Sequence, residues 1–530
     1  MSPRILICDE LAPAALEAFR SRGFEPEIRT GLSEEELVAT VPGADAVVVR
    51  SATKITRNVL EAADALRVVG RAGIGVDNID LSAATERGVV VMNTPFGNAT
   101  TTAELAITLL CALSRHVVRA DKMARSGTWK KKQLVGTELT GKTLGIVGLG
   151  RIGRLVAERG LGLGLRVIAF DAFLKKGESP VPGVELRTLE ELLAEVDFVS
   201  VHVPLTPATR NLISWKELAA IKPGARLIQV SRGGTVDEEA VVDALNSGRL
   251  AGAAFDVFVE EPAPADHPLV TREDVIVTPH LGASSKEAQL RVAVDIADQI
   301  ADFFEHGVAT NAVNAPTLPP EQQHQLAPFL TLAEKLGSFL AQRLVEPIRK
   351  VELTACGAIA GLGSEHLRLA FLVGVLRQSL ATPVNSVNAP NLAKERGLFV
   401  LESEREEAGF QPGELRVRAT TRGGEATCLV AGTVFGREPR ITRVDDIRLD
   451  LPPRGRLLIT RHKDRPGALG RIGSLLGEHD LNIRRLELGP ADPDAGAAIG
   501  FLTLEGTPTD DTVEALRSLD DIEAVQFVEL

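Results

Sequence analysis

The chain has 530 residues, 44% of them apolar and 25% charged, a balance too apolar for a disordered polypeptide and a length suited to about three or four domains. Its formal charge of −12 works against non-specific binding to nucleic acid or anionic membrane, while leaving room for local arginine clusters. Four cysteines, Cys8, Cys111, Cys356 and Cys428, form no CxxC pair and have no histidine at ligand spacing, so no structural metal is expected and a reduced, cytoplasmic setting is.

MSPRILICDE reads as a strand that begins almost at once, without the cationic start and long apolar core of a secretion signal. Over the first 95 residues, short Val/Ile/Leu runs (RILICDE, ADAVVVRS, LRVVGRAG, VVVMNTP) alternate with amphipathic helical segments. That alternation calls for a mainly parallel sheet covered on both faces. A longer helix opens at TTAELAITLLCALSRH, and after the linking stretch SGTWKKKQLVGTELTGK a second series starts: TLGIVGLG, RIGRLVAERG, LRVIAFD, LEELLAEVD, FVSVHVP, ARLIQVS, AAFDVF, DVIVTPH. Ser284 to about Gly307 is helical, VATNAVNAP closes that part, and TLPPEQQ marks a boundary. Residues 318–452 mix long helices with strands, and the longest apolar run, LAFLVGVL between Arg368 and Arg377, is far too short for a membrane span. DLPPRG precedes a final stretch reading strand, helix, strand, strand, helix, strand. The phrase VNAP recurs at Val313 and Val387, but four letters without longer similarity do not make a repeat.

LGRIG also occurs twice. In TLGIVGLGRIGRLVAERG, Gly148, Gly150 and Gly153 form G-x-G-x-x-G directly after a strand and at the start of a helix. There Gly148 permits the tight turn, Gly150 lets backbone approach a pyrophosphate, and Gly153 lets helix pack on strand. The next strand ends at Asp171, 18 residues after Gly153, where a carboxylate can accept ribose hydroxyls and would repel a 2′-phosphate. NAD is therefore expected over NADP. In the second copy, RHKDRPGALGRIGSLLG, a polar loop separates strand from helix and Gly467, Gly470 and Gly473 are spaced three apart. That pattern lacks the nucleotide turn and predicts close packing of a helix face on a sheet or a partner.

Three further strands end in chemistry-bearing residues: Arg232 in LIQVSRGG, Glu261 in AAFDVFVEEP and His280 in VIVTPH. Strand carboxyl ends are where an open α/β sheet gathers ligands. Interconverting a 2-hydroxy and a 2-oxo acid needs a proton donor and acceptor at the substrate oxygen, which suits His280; Glu261 beside it would stabilise the imidazolium and raise its pKa. It also needs a cation for the carboxylate or polarised carbonyl, which suits the planar fork of Arg232. Two strand-end arginines of the first unit, Arg50 and Arg71, together with Ser51 and Lys54, can cradle a phosphate, while Gly73, Ile74, Gly75 and Val76 offer backbone N–H groups to a carboxylate.

Taken in order, VGLGRIG, HVPLTPATRNLI, SRGGTVDE, DVFVEEP and TPHLGAS resemble the D-isomer-specific 2-hydroxyacid dehydrogenase family over residues 1 to about 315. The resemblance implies that Arg232, Glu261 and His280 are catalytic, and that Arg151, Ile152, His202, Val203, Pro204, Ser231, Asp256, Gly282 and Ala283 join the glycines at NAD. It departs at Gln229, where the family usually has Asn, which bears on the local turn. RSATKIT, GRAGIGVDNID and NTPFGNATTTAE are similar to the branch that oxidises 3-phospho-D-glycerate toward serine, which implies that substrate and adds Asn98 to its side of the cleft. Another 2-hydroxy acid, glycerate or 2-hydroxyglutarate, is the enzymatic alternative. A non-catalytic NAD-sensing corepressor is the alternative of a different class.

The last segment resembles the ACT domain, a regulatory module that binds small molecules between paired copies; this implies L-serine as effector, at His462, Asp464 and Asn482, and argues against the corepressor. The expected fold is α/β, with two doubly wound parallel-sheet domains. The first is discontinuous, a substrate domain at 1–97 and 284–316; a Rossmann NAD domain occupies 98–283, an intervening α+β domain 317–452, and a βαββαβ ACT domain 455–530. A homo-oligomer, a tetramer by resemblance, is expected, with no nucleic-acid or membrane partner.

Overall fold

The computed structural model describes residues 2–175, 177–318, 320–380, 382–407, 411–424, 426–492 and 496–530. The apolar runs of the first unit become a five-stranded parallel sheet in the order Glu27–Ile28, Ile5–Ile7, Ala46–Val49, Val68–Arg71, Val90–Asn93. Both of its faces are covered, which is why those runs show no polar alternation. Leu37, Val59, Leu60 and Ala83 pack on one face. On the other lie Phe19 and, from far along the chain, Val292, Ile296 and Ile300 of helix Lys286–His306. The contact is close: a Cβ on Gly70, in the middle of the sheet, would stand 2.6 Å from Ile300 Cδ1. The chain thus returns to its first sheet after completing the second, and the first domain is discontinuous.

The second sheet has seven parallel strands in the order Val275–Val277, Leu250–Phe255, Ala225–Gln229, Phe198–Val201, Thr143–Val147, Arg166–Phe170, Val184–Leu186. Strand order reverses between Thr143–Val147 and Phe198–Val201, the switch point at which an open sheet forms its ligand crevice. The crossover helices Trp215–Ala220 and Glu238–Asn246 carry patterns too short to read from periodicity, although Asp237 caps the second by accepting from Ala240 N at 3.2 Å. The long helix Ala99–Ser114 bends by 61° into Val117–Arg125. Among the described residues no single helix is long and apolar enough to cross a membrane.

The third sheet has six strands, of which only Ile348–Gly357 and Phe399–Arg405 pair in parallel. Helices Pro320–Arg343 and Ser364–Arg377 cross closely: a Cβ on Gly374 would lie 1.9 Å from Glu334 O. The fourth sheet, Asn482–Asp492, Ala497–Glu505, Arg456–Lys463, Ile522–Glu529, is antiparallel, with helices Ala468–Glu478 and Asp510–Arg517 completing βαββαβ order. Leu458, Leu502, Ile472, Leu476 and Leu516 fill its helix-covered face. Leu457, Ile459, Phe501 and Val528, on the opposite face, join the hydrophobic core of the third unit. The break at DLPPRG therefore separates two sheets that share one core.

The glycines of the second LGRIG do not pack on their own sheet: Gly470 and Gly473 would find no atom within 4 Å of an added Cβ, and Ala468, Ile472 and Leu476 are the buried residues of that helix. The two VNAP phrases, although no repeat, converge on one turn. Asn314 accepts from Val91 N at 2.9 Å and donates to Val89 O at 2.9 Å, while Asn385, just before the second phrase, donates to Gly88 O at 2.6 Å and Val387 enters the core of the first sheet.

Candidate active site

The carboxyl ends of the two parallel sheets face each other across a cavity of about 1100 Å³. The first LGRIG sits at its floor. Gly148 has φ 95°, a conformation that L side chains avoid, and its N–H donates to Phe170 O at 2.8 Å. A Cβ on Gly153 would lie 2.1 Å from Gly148 O, so helix Arg151–Gly162 can approach the turn only without one. Gly150, the N-cap of that helix, has nothing within 4 Å of an added Cβ, leaving its backbone open to an anion at the helix N-terminus. Asp171 stands at the end of the neighbouring strand and accepts from Leu149 N at 2.9 Å and Phe173 N at 2.9 Å. An open helix start lined by backbone amide N–H groups, with a carboxylate one strand away, fits NAD. Gly153→Ala is expected to raise the KM for NAD about tenfold, since forcing a methyl into so tight a contact costs about 1–3 kcal/mol; initial rates at varied NAD check this.

Arg151, Ile152, His202, Val203, Pro204, Ser231, Asp256, Gly282 and Ala283 all line the same cavity. Arg151 also stacks on Phe96, its guanidinium carbon 3.5 Å from the ring centroid. His202 donates or accepts at Ser200 Oγ, 2.8 Å away, and burial pushes its protonation well below the ordinary imidazole range, so it serves as a neutral ring. Gln229 knits the following loop in place of the usual Asn. Its Nε2 donates to Arg232 O at 3.0 Å and Thr235 Oγ1 at 2.7 Å, and its Oε1 accepts from Ser231 Oγ at 2.8 Å. The longer side chain thus makes the bonds that a turn leading into Arg232 requires.

His280 and Glu261 meet: Nδ1 lies 2.7 Å from Oε2, with Nε2 of the ring left for another partner. Glu261 Oε1 accepts from Phe258 N at 3.0 Å. Burial alone would raise the Glu261 carboxyl, but the His280 bond, the Phe258 N–H and the charges of His280 and Arg232 outweigh it, holding the group below the ordinary glutamate range. His280 itself has φ 54°, a strained position for a non-glycine residue. Asp256 supplies what holds it there. Its backbone O accepts from His280 N at 2.9 Å, and its carboxylate accepts from Leu281 N at 2.7 Å, Gly282 N at 2.9 Å and Thr278 Oγ1 at 2.6 Å. Burial raises the Asp256 carboxyl, against the hydrogen bonds from Thr278, Leu281 and Gly282 and the charge of His280.

Across the cleft stand Arg50, Ser51, Arg71, Ile74, Gly75 and Asn98, with Arg232 reaching over from the second sheet. Arg71 is pushed down to about 10, first by burial and then by Arg232 and Arg50, with Asp77 and Asp9 opposing. Its Nε and the Oδ1 of Asn98 are buried and have no protein partner. Half-buried cations that repel one another, one of them with an unanswered N–H donor at Arg71 Nε, describe a site built for an anion. Gly73 lies behind Arg71, where a Cβ would collide with Nη1, and Lys54 is outside the lining of the cavity, on the side facing Glu34. Supporting residues that were not among the expected site residues also appear. Asp9 accepts from Arg50 N at 2.6 Å, Asn78 Nδ2 donates to Arg50 O at 2.8 Å, and Asn93 Nδ2 donates to Ile74 O at 2.5 Å. Asp9 follows a strand end, and Asn78 and Asn93 lie within GRAGIGVDNID and NTPFGNATTTAE, the signals that could have marked them.

His462, Asp464 and Asn482 do not come together within the chain. His462 pairs with Ala498 and Asn482 with Glu505, seven positions apart on one strand, which at about 3.3 Å per residue is roughly 20 Å. Asn482 instead donates to Glu505 Oε2 at 3.0 Å, and His462 is buried, its protonation pushed down by desolvation against the opposing pull of Thr460 and nearby carboxylates.

Residues 107–282 match the NAD-binding domain of D-isomer-specific 2-hydroxyacid dehydrogenases, 325–445 the D-3-phosphoglycerate dehydrogenase intervening domain, and 456–521 the ACT domain. The chain is 40% identical over 528 residues to a D-3-phosphoglycerate dehydrogenase of Archaeoglobus fulgidus, covering 99% of this chain and all of the relative. It is 38% identical over 531 residues to that of Bacillus subtilis, covering 99% of each. Among solved structures, a glyoxylate reductase from Paecilomyes thermophila aligns with TM-score 0.55 and 29% identity over 61% of this chain and 99% of that one. A D-lactate dehydrogenase from Aquifex aeolicus, complexed with NAD and lactic acid, aligns with TM-score 0.53 and 25% identity over 59% of this chain and all of that one.

Proposed function

Since the chain belongs to the D-isomer-specific 2-hydroxyacid dehydrogenases, among the D-3-phosphoglycerate dehydrogenases, we propose that it oxidises 3-phospho-D-glycerate to 3-phosphooxypyruvate, in the cytoplasm, on the route to serine. The observation that carries the substrate is the arginine cluster: Arg50, Arg71 and Arg232 face one cavity that also holds the His280–Glu261 pair. A carboxylate at one end of the ligand and a phosphate at the other satisfy those cations together, which a lactate-sized acid does not. The free thiols of all four cysteines agree with a reducing compartment.

NAD, when bound at Gly148–Gly153, supplies the hydride acceptor. His280 takes the proton of the C2 hydroxyl through Nε2 during oxidation and returns it during reduction. Glu261, ionised and bonded to Nδ1, fixes the ring orientation and stabilises the imidazolium formed. Arg232 draws charge toward the C2 oxygen or carboxylate, while the loop Ile74–Val76 presents backbone N–H groups to the carboxylate and Arg50, Arg71 and Ser51 receive the phosphate; the Gly73 N–H is spent on Arg71 O.

The ACT module gives the enzyme an effector site, and L-serine is the effector we propose. The separation of Asn482 from His462 and Asp464 means that such a site draws its two halves from two copies. Leu486 and Leu488, 41% and 46% exposed on the same edge strand as Asn482, supply apolar area for that pairing. Paired ACT modules and paired catalytic units give a homotetramer. Following NADH oxidation with 3-phosphooxypyruvate and with unphosphorylated hydroxypyruvate, with and without L-serine, tests the whole reading. Preference for the phosphorylated substrate by about a hundredfold, and inhibition relieved by Asp464→Ala, are expected. Equal turnover of both substrates overturns the substrate, and inhibition unchanged in the variant overturns the effector site.

A further inference from the structure

The guanidinium of Arg232 is tied at two of its three nitrogens. Nε donates to Asp77 Oδ2 at 3.0 Å, and Nη1 donates to Ser231 O at 2.7 Å. The third, Nη2, lies over Gly75, where an added Cβ would be 2.1 Å from Nη2 and 2.7 Å from Asp77 Oδ2. Two of the five N–H donors of Arg232 are thus spent on the protein, leaving one on Nη1 and both on Nη2 for a ligand in the cavity. Asp77 is not a buried structural carboxylate: its side chain is 65% exposed and lines the cleft beside Arg50, Arg71 and Arg232. An acidic group among the cations of an anion site works against anion affinity, so its presence calls for a role.

We propose that Asp77 is a positioning residue that aims Arg232 and a charge filter that makes the cleft select ligands with two anionic ends. This rests on the reading that Arg232 meets the substrate. A long arginine side chain facing other cations would swing away from them; a carboxylate on Nε fixes the guanidinium plane, and the Gly75 backbone leaves room for it. The same negative charge opposes single small anions that would otherwise occupy the arginines. A ligand that engages Arg232 at one end and Arg50 and Arg71 at the other gains enough contacts to bind despite it.

The test uses the full-length, NADH-loaded enzyme and two variants, Asp77→Asn, which keeps an acceptor without the charge, and Asp77→Ala, which loses both. Inorganic sulfate affinity is measured by calorimetry, and kcat and KM in reduction of 3-phosphooxypyruvate. Both variants are expected to bind sulfate about threefold tighter or more, the removed charge being close to the cations but partly solvated. In Asp77→Ala kcat is expected to fall about tenfold or more with a smaller change in KM, and in Asp77→Asn to stay within about threefold of the parent. Unchanged sulfate affinity in both variants overturns the filter, and a kcat in Asp77→Ala equal to that of Asp77→Asn overturns the positioning. Should the parent prefer another 2-oxo acid, the substrate reading fails by itself; the sulfate arm still decides the filter, and the kcat arm is read with that acid.

Discussion

His280→Ala lowers kcat by about a hundredfold or more while NAD binding, measured by NADH fluorescence titration, stays within about twofold. The magnitude follows from what the ring alone does. No other imidazole in the cavity can replace it: His202, the other histidine of the lining, is held neutral by burial and bonded to Ser200. Glu261→Gln is the companion experiment. The amide keeps a polar contact to Nδ1 but no counter-charge, so protonated His280 loses its 2.7 Å ion-pair partner. Reduction, which needs that proton on the ring, then slows, and kcat falls by about tenfold. Glu261 stays ionised. Its pKa lies below the ordinary glutamate value, so the stabilisation from its ionised form is fully present above about pH 4.3 and is lost only as pH falls through the lower folded value. The carboxylate is therefore present throughout the neutral range, and loss of rate there does not come from Glu261. Near-parental turnover in His280→Ala would remove the ring from the mechanism.

What was legible in the sequence is what depends on local geometry. The turn at Gly148, the close contact at Gly153 and the open backbone at Gly150 follow from spacing alone, because a strand turning directly into a helix leaves few places for a Cβ. His280 and Glu261 were legible as a pair because both follow strands of one parallel sheet, Leu250–Phe255 and Val275–Val277, whose carboxyl ends converge. Asp77 was not legible as a partner of Arg232, since 155 residues separate them and no local pattern encodes which side chain crosses the cleft. The second LGRIG left two alternatives open, packing on a sheet or on a partner, and the fold removes the first. A three-residue spacing marks one helix face without saying whether the sheet or the solvent lies under it, and here Ile472 and Leu476 take the sheet. Asn482 shows the same limit in strands, where antiparallel register decides which end of the sheet a residue occupies. The shared core beneath the last two sheets was hidden because strands buried on both faces differ little from half-buried ones when Leu457 and Leu458 sit side by side.

Arg71→Met should separate function from stability in opposite directions. Arg71 is buried with an unpartnered Nε, and its charge is disfavoured first by burial and then by Arg232 and Arg50, which is why its pKa falls to about 10. At neutral pH it is still a cation, and the folded ligand-free protein bears the cost of keeping it so. Methionine fills comparable volume without charge, so the ligand-free variant is expected to melt at the same temperature as the parent or about 2 °C higher. Catalysis is expected to suffer. Removing one partner of a desolvated ion pair typically costs about 2–5 kcal/mol, and a loss of about 3–4 kcal/mol is a fall of roughly a hundred- to a thousandfold in kcat/KM. That fall should appear with 3-phosphooxypyruvate and shrink to about tenfold or less with hydroxypyruvate, which lacks the phosphate that Arg71 would meet. Inorganic phosphate, a probe for the same cradle, should raise the melting temperature of the parent and leave that of the variant nearly unchanged. Equal losses with both substrates would place Arg71 at the carboxylate or the C2 oxygen instead, and a lower melting temperature without ligand would show that its charge is paired in solution. The two readouts together distinguish an arginine kept for the protein's own packing from one whose cost is offset only when an anion arrives.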